Sequence, residues 1–292
     1  MIVPKSIVFK VLMAVLLLSL LTVTLAIGPY LPHPKRWAAL ANKQTVSYKK
    51  TKILETISII VPTYNDGAEM LSTTIKKIIE SAKNSELLEI IVVDGGSRDN
   101  SIEAIKDIRN IKIATSRGGR GPAINVGIKL ATADILLMLH SDCLLEPNFD
   151  VLIRSAFADP KVIMTAFEFD ANSTSYPFLK SVENRVSLRS RYLWLPYGDQ
   201  GLAVRTKDLQ NHFGGQIPNY KMMEDFEFVL QMRNFALDNN KIIAILPQKL
   251  GSSPRRFLAK GASYTAILNW LFVTAYVWGG ATPDKIFTWY YS

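Results

Sequence analysis

Side chains suited to binding a nucleoside diphosphate recur at the ends of apolar runs. ISIIVP (57–62) leads into Pro62, Thr63, Tyr64, Asn65 and Asp66, and EIIVVD (89–94) ends on Asp94, followed by Gly95, Gly96 and Ser97. IKIAT (111–115) leads into SRGGRG, which sets Arg117 and Arg120 among three glycines, and DILLMLHSD (134–142) ends on His140, Ser141 and Asp142. A carboxylate such as Asp94 accepts hydrogen bonds from a base edge, arginines meet phosphates, and Asp142 can bind a divalent cation together with diphosphate oxygens and water. Taken singly, each of these is an ordinary turn: an Asp before Gly-Gly, a Gly-rich loop, a strand-end histidine bonded to backbone. Four in succession after four apolar runs would need four independent coincidences.

The elements that must position them alternate. The first two runs read as buried parallel strands and the other two as a third and a fourth strand. Between them the pattern predicts an amphipathic helix over 72–83, a helix from Ile102, and a helix over 122–131 with Pro122 in its first turn. Strand–helix alternation predicts an α/β fold with a doubly wound, mostly parallel sheet, a Rossmann-like nucleotide-binding half whose ligands lie at the carboxyl ends of the strands.

The second half carries GDQG (198–201), MMEDFEF (222–228) and SSPRRF (252–257). Glu224 and Asp225 open a helix, where carboxylates are dipole-favoured in any case; one of them could also take a proton from a reacting hydroxyl. Arg255 and Arg256 suit a diphosphate clamp as well as they suit an ordinary charged surface.

The flanks differ in composition. VLMAVLLLSLLTVTLAI (11–27) is uncharged and close to the minimum spanning length of about 17 residues, so residues 1–28 are expected to be a membrane anchor, with a cleaved signal peptide as the alternative. Residues 29–56 read as a basic juxtamembrane linker holding Lys35, Arg36, Lys43, Lys49, Lys50 and Lys52. Their charge puts a single-pass protein's catalytic side in the cytoplasm; lumenal placement is the alternative. Residues 57–262 form the expected catalytic domain. Residues 263–292 read as a C-terminal apolar helix that either lies at a membrane interface or closes the core.

Composition narrows the classes. The 292 residues are 48% hydrophobic with a net charge of +9, and mean hydropathy is +0.13. One cysteine excludes an intrachain disulfide and a cysteine-built zinc site, and three histidines argue against a multi-histidine metal site. No arginine-rich helix or aromatic-interleaved basic repeat points to nucleic acid.

VPTYN, IVVDGGSRDNS, the basic Gly-rich turn with AINVG, and LHSD, in that order, resemble family 2 glycosyltransferases of the GT-A fold over roughly residues 57–230. The resemblance implies a sugar transfer from a UDP- or GDP-type nucleotide sugar to an acceptor hydroxyl on a lipid or small molecule, with inversion and with Mg²⁺ or Mn²⁺. It assigns Pro62, Thr63, Tyr64, Asn65, Asp94, Gly96, Arg117 and Asn125 to the donor, Asp142 to the metal, and Asp225 as base with Glu224 beside it. The family's Asp-x-Asp reads here His140, Ser141, Asp142, so His140 is either a metal ligand or a backbone-bonded strand end. GDQG, the Glu-Asp pair and SSPRRF resemble the arsenosugar-biosynthesis-type subfamily, which implies that Asp199 and Gln200 shape the acceptor pocket and that Arg255 and Arg256 clamp the diphosphate. Two rival readings are a nucleotidyltransferase, which would place a Gly-rich loop where PTYNDG stands, and a non-catalytic sugar-nucleotide-binding membrane protein.

Overall fold

The computed structural model describes residues 55–291. The expected N-terminal hydrophobic helix and nearly all of the linker lie outside the described residues. Eight strands form one sheet: β1 (Ile57–Thr63), β2 (Leu88–Asp94), β3 (Ile111–Thr115), β4 (Ile135–Met138), β5 (Cys143–Leu145), β6 (Val162–Asp170), β7 (Leu202–Arg205) and β8 (Ile242–Ser252). Their order is β3-β2-β1-β4-β7-β6-β8-β5.

The first four strands are parallel; every residue of β1 and β4 is buried, as suits a central parallel strand, whereas β3 at the sheet edge has no buried residue. Thr63 pairs with Asp94 and Asp94 with Thr115, so the polar strand ends come to one edge. The order reverses between β1 and β4, the kind of crevice where open α/β sheets bind ligands. Beyond β4 the sheet turns mixed: β7 runs antiparallel to β4 and β6, β5 antiparallel to β8, and only β6 and β8 are parallel. Four of the seven pairings are therefore parallel, and the doubly wound pattern belongs to the N-terminal half. That half is what strand–helix alternation reports.

Helices α1 (Ala68–Ser81) and α2 (Arg120–Leu130) cover the parallel half. In α1, Leu71, Ile75 and Ile78 recur at helical spacing and are fully buried. The helix expected from Ile102 is one short turn at Glu103–Ile105. Then follow α3 (Phe149–Phe157), α4 (Lys180–Leu193), α5 (Thr206–Phe213) and α6 (Glu224–Asp238). After α7 (Arg255–Lys260), the expected C-terminal apolar helix is two helices, α8 (Ala262–Val277) and α9 (Pro283–Tyr291), separated by Gly279 and Gly280. Among the described residues no helix is long and apolar enough to cross a membrane. A small core of Met223, Phe226, Val273, Ala281 and Ile286 fastens α8 and α9 to the start of α6.

The start of α2 meets the segment before α6 backbone to backbone. The Gly121 amide donates to the Tyr220 carbonyl at 3.1 Å and the Arg120 amide to the Lys221 carbonyl at 3.3 Å. A Cβ on Gly121 would stand 2.4 Å from the Tyr220 oxygen, and one on Gly119 2.5 Å from Lys221 Cα. Gly121→Ala must push the two segments apart and is expected to cost about 1–3 kcal/mol, the usual cost of overpacking. Urea unfolding checks this: the midpoint falls, whereas Lys129→Ala on the exposed face of α2 stays within about 0.5 kcal/mol of wild type.

Candidate active site

A cleft of about 520 Å³ lies where the two halves of the sheet and the C-terminal helices meet. Its polar wall is His140 and Asp142 after β4, Asp199 in the turn before β7, Asp225 at the start of α6, Arg120 at the start of α2, Ser252 and Ser253 at the end of β8, and Arg255 at the start of α7. Its apolar wall includes Phe169, Phe257, Phe272 and Val273.

The strand order explains how distant residues converge. Cys143 pairs with Ser252 across β5 and β8, and the Ser253 amide donates to the Asp142 carbonyl at 3.2 Å. This sets the Arg255 guanidinium 3.8 Å from Asp142 and 3.9 Å from Asp66. Asp66 joins the β1 and β4 loops: it accepts from the Thr63 hydroxyl at 2.9 Å, the Tyr64 amide at 3.2 Å and the Ser141 hydroxyl at 2.6 Å.

Asp225 is held on both oxygens. The Gly198 amide donates to Oδ2 at 2.9 Å and the Phe226 amide to Oδ1 at 2.8 Å. A Cβ on Gly198 would lie 2.6 Å from His140 Nε2 and 3.0 Å from Asp225 Oδ2, so glycine is what lets these two side chains share the turn. Glu224, fully buried, forms an ion pair with Arg120, whose guanidinium also lies 3.7 Å from Asp225. Burial pushes Glu224 up to about 7, aided by the Asp225 charge and opposed by Arg120. Burial would raise Asp225 too, but Arg120, the Gly198 amide, His140 and the Phe226 amide outweigh it and hold its carboxyl below the ordinary value. Adjacent carboxylates are thus driven apart, with Asp225 the ionised one.

Burial also lifts Asp199 to about 6, against Arg189, with the Asp225 and Asp142 charges adding to the rise. Its buried Oδ1 has no hydrogen-bond partner among the described residues. Ligand atoms of His140, Asp142 and Cys143 lie within 4.8 Å of one another. Burial raises the Cys143 thiol well above its ordinary value. His140 and Asp142 could supply a nitrogen–oxygen pair, which suits a borderline cation such as Mn²⁺.

Of the residues expected from the sequence, His140, Asp142, Asp199, Asp225 and Arg255 line the cleft, and Pro62 and Glu224 back it in a small recess shared with His140 and Asp225. Thr63, Asn65, Asp94 and Gly96 build the adjoining strand-end loops: the Asn65 amide donates to Ser97 Oγ at 2.9 Å, the Arg98 amide to Asn65 Oδ1 at 2.8 Å, and the Ser97 amide to Asp94 Oδ1 at 2.9 Å. Tyr64 beside them is 61% exposed, and Arg117 is exposed. Two residues sit elsewhere than the motif suggests. Gln200 is fully buried, donating to the Phe167 carbonyl at 2.8 Å and accepting from the Ser190 hydroxyl at 2.7 Å, so it holds the turn under the cleft. The Asn125 amide group exchanges hydrogen bonds with the Ile217 backbone at 2.9 and 3.0 Å and staples that segment to α2. The Arg256 side chain lies outside the described residues. Arg120 and Asp66 stand among the strand-end groups of the sequence reading, which gives neither a role of its own; the glycines on both sides of Arg120 were the available signal, since they mark a close backbone approach.

The model of glycosyl transferase family 2 matches residues 58–217, more than half of the chain. The chain belongs to this family. Such a family 2 glycosyltransferase is an enzyme, and named relatives agree. It is 29% identical over 173 residues to an uncharacterised glycosyltransferase of Nostoc sp., covering 54% of this chain and 53% of that one. It is 24% identical over 223 residues to a poly(ribitol-phosphate) beta-N-acetylglucosaminyltransferase of Staphylococcus aureus, covering 64% and 66%. The chain thus spans about half to two thirds of these relatives' lengths. A mannosyltransferase from Pyrobaculum calidifontis, solved with GDP-Man and Mn²⁺, shares the fold at a TM-score of 0.57 and 17% identity over 86% of this chain and 70% of that one.

In this family 2 glycosyltransferase, Glu224 binds its proton more tightly folded, at about 7, than at its ordinary 4.5. The stability this group contributes is complete below pH 4.5 and is lost as pH rises toward 7. Measured by urea unfolding, wild type should therefore lose stability relative to Glu224→Gln across that window. Parallel pH profiles for the two proteins would contradict the assignment.

Proposed function

We propose that this glycosyltransferase moves a sugar with inversion from a UDP- or GDP-type nucleotide sugar to an acceptor hydroxyl, with Asp225 as the general base. One observation carries the reading: Asp225 is the cleft carboxylate held ionised by two backbone amides and Arg120, beside a neighbour lifted toward neutrality. The donor's nucleoside is assigned to the strand-end loops, where Asp94 and Tyr64 offer an acceptor carboxylate and an exposed ring.

Asp142 and His140 would hold a divalent ion, with the Asp199 carboxylate on the same cleft wall. When bound, such an ion supplies Lewis-acid stabilisation of the diphosphate oxygens. The chain's own residues do the rest. Asp225 takes the hydroxyl proton as the acceptor oxygen bonds to the anomeric carbon, and the bond from that carbon to the diphosphate oxygen breaks with its electron pair leaving on the nucleotide. Arg255 faces the departing negative charge, and Arg120 keeps Asp225 ionised for the next turnover. Glu224 acts through Arg120. The same proposal takes residues 11–27 as a membrane anchor.

Turnover of a panel of nucleotide sugars tests this. Asp225→Asn is expected to lower kcat by about 10²–10⁴-fold with donor affinity kept, and Asp142→Ala to abolish the EDTA-sensitive part of donor binding. Wild-type turnover in Asp225→Asn would place the base elsewhere, and donor binding indifferent to both EDTA and Asp142→Ala would remove the metal role.

A further inference from the structure

Helix α8 has two unlike faces, and the proposed reaction uses only one. Thr265, Asn269, Phe272 and Val273 line the cleft. On the other side Tyr264, Ile267 and Leu271, continued by Trp278 at the helix end, are 54%, 56%, 45% and 68% exposed. Their spacings of three, seven and fourteen residues put them on one stripe, because a helix advances about 100° per residue. Scattered exposed apolar residues are ordinary, but an aligned aromatic and aliphatic stripe on a helix apolar all round marks a surface meant to be covered.

Charge identifies the cover. Beyond the cleft-lining Arg255, the chain to the C-terminus holds Arg256, Lys260 and Lys285 against the single acid Asp284. The ammonium groups of Lys260 on α7 and Lys285 on α9 stand 5.6 and 5.3 Å from the rings of Tyr290 and Trp289, both on α9, so cations and aromatic rings occupy the helices before and after the stripe. Apolar side chains flanked by lysines and interfacial aromatics suit the boundary between anionic headgroups and acyl chains.

We propose that the outer face of α8 docks on an anionic lipid bilayer. The helix then lies in the interface plane, and its inner face, the wall of the cleft, stands within about one helix diameter, roughly 10 Å, of the lipid.

Spin-label accessibility on the full chain tests this without using catalysis. Cys143, the only native cysteine, is buried, so a nitroxide reports an introduced cysteine. Leu271→Cys and Ile267→Cys are labelled in parallel, with Lys106→Cys on the far surface as reference, and the chain is reconstituted in nanodiscs of phosphatidylcholine and phosphatidylglycerol. The expected result at 267 and 271 is severalfold higher collision with oxygen and severalfold lower collision with a nickel chelate than at 106. Two results would overturn the proposal. Free nickel access means that the face stays in water, and exclusion of both reagents means that protein covers it, either residues 11–27 of the same chain or a second copy.

Discussion

One cation placed between two neighbouring carboxylates decides the chemistry of this cleft. Glu224 and Asp225 are adjacent at a helix start, and like charges about 4 Å apart repel by about 4 kcal/mol at an intermediate dielectric. Arg120 pairs with the first and reaches the second at 3.7 Å, so the pair can share a proton-deficient site without both losing their charge. The guanidinium arrives there because Gly119 and Gly121 leave no side chain between the start of α2 and residues 218–221. The Asn125–Ile217 staple keeps that approach closed, and the Met223–Phe226–Val273 core fixes α6 from the other side.

The sheet divides the labour accordingly. Its parallel half aligns Thr63, Asp94 and Thr115 on one edge, and the antiparallel strands beyond β4 swing the end of β8 back to Asp142. Arg120, His140 and Asp142 from the N-terminal half thus meet Asp199, Asp225 and Arg255 from the C-terminal half in the cleft, which the helices after β8 wall off. Asp66, bonded to both the β1 and β4 loops, ties the strand-end edge to the turn that carries Asp142.

The parallel half was legible in the sequence because strands buried on both faces are written as unbroken apolar runs with polar ends, and because ISIIVPTYN, IVVDGG and LHSD each leave such an end. The mixed half was not legible: β7 has four residues and β5 three, and their partners are set by tertiary contacts that no local period records. The same limit governs individual residues. Asp142 and Asp225 stand in motifs whose residue types announce their chemistry. Gln200 and Asn125 share those motifs, yet hold backbone in place, since an amide serves a carbonyl 33 or 92 positions away as readily as a ligand. Arg120 was passed over for Arg117 because a Gly-rich loop reads as a phosphate cradle until its neighbour across the fold is known.

The ionisation of Asp225 is the most direct point of measurement. Titration of its carboxyl by ¹³C NMR, with selective labelling, in wild type and Arg120→Gln, reports the coupling itself. The account predicts a midpoint below the ordinary 3.8 in wild type and a clear upward move in the variant. A wild-type midpoint at or above 3.8, or one that Arg120→Gln leaves in place, would contradict it.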